Sequence, residues 1–391
     1  MNKWLASEFQ SLIKPWKPEQ YDREGVGVSF SGGGYRATLF HAGAVLRMNE
    51  LGVLGRIDRI SSVSGGSITS ALLAVAWPNL GISGPQDIAT SEAMKTHFIK
   101  PILNATSKTL DVPVGIAGFL PFVSAGNLLA NRYDKHIFHD KMIKDIPEHP
   151  KFIFNATNLQ TMGSFRFMRD RLYDWRAVES TTKTIRLSEA VAASSGFPPV
   201  LAPLRLDLSG ETVTFPPNAR YDDPALHRRP VLLDGGVYGN LGMEPIWKNC
   251  GVLIGSYAGK NADADPSNFT TGHLLKMIDI FLASSIDWRE RMLVAMFRNI
   301  MEDGLPERAG TYWTAGTDIA KYPIMQEPDK IGWKPSSDEL KAARETPTRL
   351  QALDFKEQEV VIKAGYTYAD AGIRSYLMPD AEPPSGPPDI G

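Results

Sequence analysis

Two glycine-rich turns, each preceded by a short apolar run and followed by a helical one, constrain this chain more than any other feature. Residues 25–30 (GVGVSF) form an apolar run that stops at Ser31-Gly32-Gly33-Gly34, and Leu39, Ala42, Val45 or Leu46, and Met48 then recur at helical spacing. Residues 59–63 (RISSV) repeat the pattern, ending in Ser64-Gly65-Gly66 before an apolar helical stretch at 68–77. Similar runs at 152–156, 164–168, 231–233 and 252–256, with a helical stretch at 187–194, predict strands alternating with helices. That alternation specifies a layered α/β protein with a largely parallel sheet.

Composition narrows the function classes. Across 391 residues, 42 Lys+Arg against 44 Asp+Glu leave a net charge of −2, which supplies no field for nucleic acid. With 43% hydrophobic and 22% charged residues a substantial core can form. The single cysteine, Cys250, excludes an internal disulfide framework and a Cys-rich zinc site, and fits a reducing, cytoplasmic compartment. His136, His139 and Asp140 superficially suggest metal ligands but read as an ordinary amphipathic segment, so no metal is expected.

Residues 1–24 read as an N-terminal amphipathic segment, with Trp4, Leu5, Phe9, Leu12 and Ile13 at helical spacing; it docks on its own domain or lies on a membrane surface. The long uncharged stretch 112–131 is broken by Pro113, Pro121 and three glycines, which excludes a transmembrane helix and leaves a flap, an interfacial patch or an irregular core segment. Beyond residue 261 the pattern turns helical, at 274–301 and 347–377, so 261–378 is expected to be a helical section packed on the sheet domain. The Pro- and Gly-rich tail 379–391 (PDAEPPSGPPDIG) is expected to be disordered.

The chemistry concentrates at the turns. Consecutive glycines at 32–34, placed between strand and helix, let main-chain N–H groups converge, and the helix N-terminus adds positive potential. The anion held there is a cofactor phosphate or an oxyanion. Gly32, Gly34 and Ala37 match the dinucleotide spacing, but the acidic residue expected at the end of the second strand is missing: Asp58 precedes that strand, which ends in Ser-Gly-Gly. Ser64, flanked by the small residues Ser62 and Gly66, fits a nucleophile elbow, in which the turn leaves no room for bulk. Asp234, in Asp234-Gly235-Gly236 after a strand-like run, is placed at a strand's carboxyl end, on the same sheet edge, as general base or orienter. Of seven histidines only His273 follows Asp234 in the order of an α/β-hydrolase triad, so a Ser-Asp dyad is preferred with His273 as its rival, and His41 reads as structural or solvent-facing.

In this order the motifs resemble the patatin-like phospholipase family: Gly32-Gly33-Gly34-x-Arg36, the elbow Ser64, and Asp234-Gly235-Gly236, with 187–203 similar to the family's Ala/Ser-rich helix and Pro-containing loop. The likeness spans roughly 25–259. It implies a three-layer α/β/α fold with its catalytic domain at 25–260, a lipid or phospholipid substrate and no cofactor. It also implies Ser64 as nucleophile, Asp234 as base, and Gly32, Gly33, Gly34 and Arg36 as the oxyanion loop, with Ser62, Gly65 and Gly66 shaping the elbow. Ser62 and Ala37 stand where the family has glycine. The rival expectations are a carboxylesterase or thioesterase acting on dissolved esters by the same mechanism, and a non-catalytic lipid-binding protein. A peripheral membrane surface is a further candidate partner, and the oligomeric state is not fixed by the sequence.

Overall fold

The computed structural model describes residues 24–111, 124–259, 273–300 and 306–391. The expectations for residues 1–23 and for a flap at 112–123 fall outside them. In chain order the strands are β1 (Val26–Phe30), β2 (Ile57–Val63), β3 (Lys151–Asn158), β4 (Gly163–Phe167), β5 (Leu172–Asp174), β6 (Val178–Ser180), β7 (Leu204–Arg205), β8 (Val213–Thr214), β9 (Val231–Asp234), β10 (Val252–Tyr257) and β11 (Ala309–Thr314). The helices that matter for the site are α1 (Gly34–Glu50), α2 (Gly65–Ala76), α3 (Leu187–Ser195), α4 (His273–Arg298), α5 (Ser337–Glu345) and α6 (Phe355–Tyr376).

The strands form one mixed sheet. Its centre, in the order β11-β10-β1-β2-β3, is parallel throughout. These strands are buried along most of their length because both faces are covered, and small Ser, Gly and Thr residues stand among the apolar ones. Neighbouring residues of β10 illustrate the two layers, since successive side chains point to opposite faces. Ile254 joins Val28, Phe30 and Ile60 in the large core beneath α1, α2 and α6. Leu253 faces the other way, into a smaller core with Ile246 and the α4 residues Ile286 and Leu293. From β3 outward the sheet continues as an antiparallel wing through β4, β5, β6 and β8.

Two expectations for the C-terminal third are corrected. The section 261–378 is not wholly helical, because residues 309–314 form β11, which pairs in parallel with β10 and extends the sheet. The tail 379–391 is docked rather than disordered. Proline and glycine deny it a helix or strand of its own, but its carbonyls remain free acceptors, and the body supplies donors. The Arg374 guanidinium donates to Ala381 O at 2.9 Å, Arg47 to Glu382 O at 2.6 Å and the Trp333 amide to Pro384 O at 2.8 Å. Near its end Asp389 pairs with Lys95 at 3.1 Å and Ile390 is buried.

Arg47 also bonds Asp370 at 2.8 Å, and Asp370 in turn holds Arg374 at 3.2 Å. This buried cluster joins α1, α6 and the tail. Among the described residues no helix is long and apolar enough to cross a membrane.

Candidate active site

Ser64 sits between β2 and α2 with φ 53° and ψ −122°, a positive-φ conformation that a non-glycine residue holds only when its surroundings enforce it. Those surroundings are small and polar. A Cβ on Gly65 would run into the carbonyl of Gly34, so only glycine lets the two turns touch. The Ser64 amide donates to the Ser194 carbonyl at 3.2 Å and to Ser194 Oγ at 3.1 Å. Ser194 Oγ donates to Asn155 O at 2.6 Å, and the single proton of the Ser67 hydroxyl goes to Ser194 Oγ at 2.8 Å or to Ser62 Oγ at 3.0 Å. Ser62 therefore occupies an extended, buried strand position where its hydroxyl is used, which explains why serine is tolerated in place of glycine.

Asp234 reaches Ser64 by a route the sequence does not reveal. The sequence places it at a strand's carboxyl end on the elbow's edge; it does end β9, and β9 arrives at that edge running antiparallel to β3. Along one side of β3, Val63 of β2 pairs with Asn155 and Asp234 of β9 pairs with Ala156, the next residue. The two strands thus run toward each other and their carboxyl ends meet. The Gly235 amide donates to the same Ser194 carbonyl, at 3.0 Å, that holds Ser64, so the end of α3 ties both turns together.

Ser64 and the Asp234 carboxyl line the same cleft, close enough that the hydroxyl favours the ionised form of the acid, and the carboxylate accepts the Gly236 amide at 2.7 Å. Asp234 is 2% exposed, and burial pushes its pKa up to about 7, against the pull of the Gly236 amide and the Ser64 hydroxyl. A carboxyl so tuned is poised as a proton acceptor near neutrality.

The glycine loop divides in its roles. The Gly32 amide is already spent on Asn240 O at 3.1 Å. Gly33 and Gly34 take φ of 137° and 55°, which turn their amides away from the strand, and neither donates to any other described residue. Both line the cleft beside Ser64. Arg36 also lines the cleft, and its guanidinium is held from behind. Its guanidinium donates to Arg344 O at 3.1 Å and Thr346 O at 3.2 Å, satisfying carbonyls at the end of α5 that the helix cannot. The Ala37 amide makes a regular helical bond to Gly33 O at 3.1 Å.

The cleft above these residues has a volume of about 1100 Å³ and apolar walls that include Phe197, Leu201, Leu282 and Ile286. The C-terminal section supplies one side. Arg349 O accepts the Tyr35 amide at 3.0 Å, and its side chain bonds Asp111 at 2.9 Å. Sequence reading missed this contribution, along with Ser194 and Asn155. The Ser194-Ser195-Gly196 end of α3 was the one available signal.

His41 and Asp58 fall away from the site. His41 is fully buried and structural, with Nδ1 2.9 Å from Ser256 Oγ and Nε2 3.0 Å from Ser31 O; burial drives its pKa down to about 3. Asp58 accepts the Val26 amide at 2.7 Å, at the start of β1 and so at the opposite end of the sheet from the glycine loop, where no ribose held by that loop could reach it. His273 opens α4, and its side chain lies outside the described residues.

Residues 28–247, more than half of the chain, match the family model described as Patatin-like phospholipase. No curated protein matches significantly. Among solved structures, human GIVD cytosolic phospholipase A2 is similar at 14% identity and a TM-score of 0.48, over 92% of this chain and 60% of that one. The same human protein in complex with methyl gamma-linolenyl fluorophosphonate gives 13%, 0.49, 92% and 59%. VipD from Legionella pneumophila is similar at 15% identity and a TM-score of 0.38, over 89% of this chain and 66% of that one. The chain thus spans about 60% of the length of the human structures it matches.

Proposed function

The chain belongs to the patatin-like phospholipase family, and from that premise we propose that it is a serine lipid acyl hydrolase of phospholipase A type, acting through a Ser64-Asp234 dyad. The observation that carries the reading is the placement of Ser64, held at a positive-φ elbow, against a buried carboxyl whose pKa is raised to about 7, beside two glycine amides that line the same cleft unengaged. Asp234 takes the hydroxyl proton as Ser64 Oγ attacks the ester carbonyl. The Gly33 and Gly34 amides, with the N-terminal ends of α1 and α2 behind them, stabilise the resulting oxyanion. Collapse of the tetrahedral intermediate expels the alcohol, which takes the proton back from Asp234. Water, deprotonated by the same carboxylate, then attacks the acyl-enzyme and releases the fatty acid and free Ser64.

The apolar walls of the cleft suit an acyl chain, and its volume is at the large end for a single bound molecule. Gly32 and Arg36 act at one remove in this scheme, as fixings of the loop. A compartment in contact with membrane lipid, the cytoplasm or its membrane surface, is the setting that fits a fatty-acyl ester substrate.

The test is mass-spectrometric profiling of a whole-cell lipid extract incubated with wild type and with Ser64→Ala. Wild type should deplete diacyl phospholipids and release matched lysolipid and fatty acid, and the variant should not. Cleavage of dissolved short esters with no change in any phospholipid would replace the lipid reading with a carboxylesterase.

A further inference from the structure

The helix that closes one side of the cleft carries two apolar rows instead of one. The inner row of α4 is Leu282, Ile286, Leu293 and Phe297, which line the cleft or pack on the smaller core. The outer row is Met277, Phe281, Trp288 and Met292, with the same four-seven-four spacing one half-turn away, and it faces solvent. Phe281 is 67% exposed and Trp288 65%, and Ile280 beside them is also exposed. Scattered exposed apolar residues need no explanation, but five along one helix face do.

Charge is sorted on the same helix. Of its acids, Asp279 lines the cleft and Glu290 is half-buried, with burial raising its pKa. On the outward side Arg291 and Arg298 are exposed beside Asp287, and Asp279 is exposed toward the cleft. The Arg291 guanidinium lies 5.8 Å from the centre of the Trp288 ring. An exposed aromatic with an arginine over it, a row of apolar side chains and a flank of cations match a helix lying in the headgroup region of a bilayer. Across the cleft mouth Phe197 and Val200 are exposed as well, so the apolar rim continues on the opposite wall.

We propose that the outer face of α4 is a docking surface for an anionic lipid bilayer, which seats the cleft mouth on the membrane that holds its substrate. The proposal rests on the lipid hydrolase reading above. With 26 residues, α4 is about 39 Å long and lies along the surface rather than across it. Docking sets the cleft mouth against the bilayer, so an acyl chain passes from lipid to the apolar walls at Phe197, Leu201, Leu282 and Ile286 with little exposure to water.

The experiment is co-sedimentation of the full chain with vesicles of phosphatidylcholine alone or mixed with phosphatidylglycerol, alongside hydrolysis of dissolved p-nitrophenyl butyrate. Wild type should pellet with the anionic vesicles. The double variant Phe281→Asp, Trp288→Asp should lose at least about tenfold in partition and in vesicle-lipid turnover, and keep butyrate hydrolysis within about twofold of wild type. Arg291→Glu with Arg298→Glu should weaken binding to anionic vesicles and leave neutral ones unaffected. In unaltered protein, the fluorescence missing from Trp288→Phe should be open to acrylamide without lipid and shielded and blue-shifted with vesicles. The proposal is overturned if wild type hydrolyses butyrate but does not pellet, or if the double variant pellets as wild type does. Shielding of Trp288 before lipid is added also overturns it, because the face is then already covered by the chain itself or by a second copy. Vesicle binding without hydrolysis of butyrate or lipid would instead sink the hydrolase reading and leave the docking face standing.

Discussion

Replacing Asp234 by asparagine should destroy activity and stabilise the protein, with a pH dependence that identifies the cause. The carboxyl pKa is about 7 in the folded protein and 3.8 for the unperturbed group. The native state therefore holds a proton that the unfolded chain has released, and stability falls as pH rises between those two values. The full difference corresponds to roughly 4 kcal/mol at 1.36 kcal/mol per unit. Asparagine has the same shape, can still accept the Gly236 amide, and has no charge to desolvate. Allowing for a weaker bond to Ser64, we expect Asp234→Asn to be more stable than wild type by about 2–4 kcal/mol at about pH 8.5, and nearly equal at about pH 4. Urea unfolding of both proteins across that range gives the difference directly, with the other titrating groups cancelling. Turnover of an ester by the variant should fall by about a thousandfold or more at every pH, since the proton acceptor is gone. A stability difference that stays flat with pH would refute the reasoning, because the buried charge would then not be the cost it is taken to be.

Four further outcomes follow from the same geometry. The wild-type kcat/KM should rise with pH through about 7 as Asp234 loses its proton, measured with a substrate that does not itself titrate. Ser194→Ala removes the hydroxyl that links Asn155, Ser67 and the Ser64 amide; kcat should drop by about tenfold with KM little changed, and a threonine at 194 should restore part of it. Gly65→Ala forces a methyl against the Gly34 carbonyl and should cost about 1–3 kcal/mol in urea unfolding, along with most of the activity. Deleting residues 379–391 strips the buried Arg374 and Arg47 of carbonyl acceptors and should lower Tm, while ester turnover at low temperature persists.

How much of this was legible depended on how local each feature is. The elbow and the glycine loop are short-range: strand, small residues and helix lie within a dozen positions, so their pattern shows in the sequence. For Asp234 the strand end was legible but not the direction of the strand. It does end a strand at the right edge, but β9 is a short antiparallel strand set end-to-end with β2, an arrangement fixed by pairing to β3 and not by its own four residues. The tasks of Gly32 and Arg36 were illegible because they depend on partners far along the chain, the carbonyls of Asn240, Arg344 and Thr346. The tail misled for a related reason. Its composition correctly forbids regular structure, yet order came from donors on α1, α6 and Trp333 that composition does not register.

The central claim is that Ser64 is a nucleophile activated by Asp234. Its most direct measurement is intact-protein and peptide mass spectrometry after reaction with a fluorophosphonate probe, on wild type, Ser64→Ala and Asp234→Asn. One probe per chain should be added to wild type and map to Ser64, with no adduct on Ser64→Ala and strongly slowed labelling of Asp234→Asn. An adduct on another residue, or one that survives in Ser64→Ala, would contradict the account.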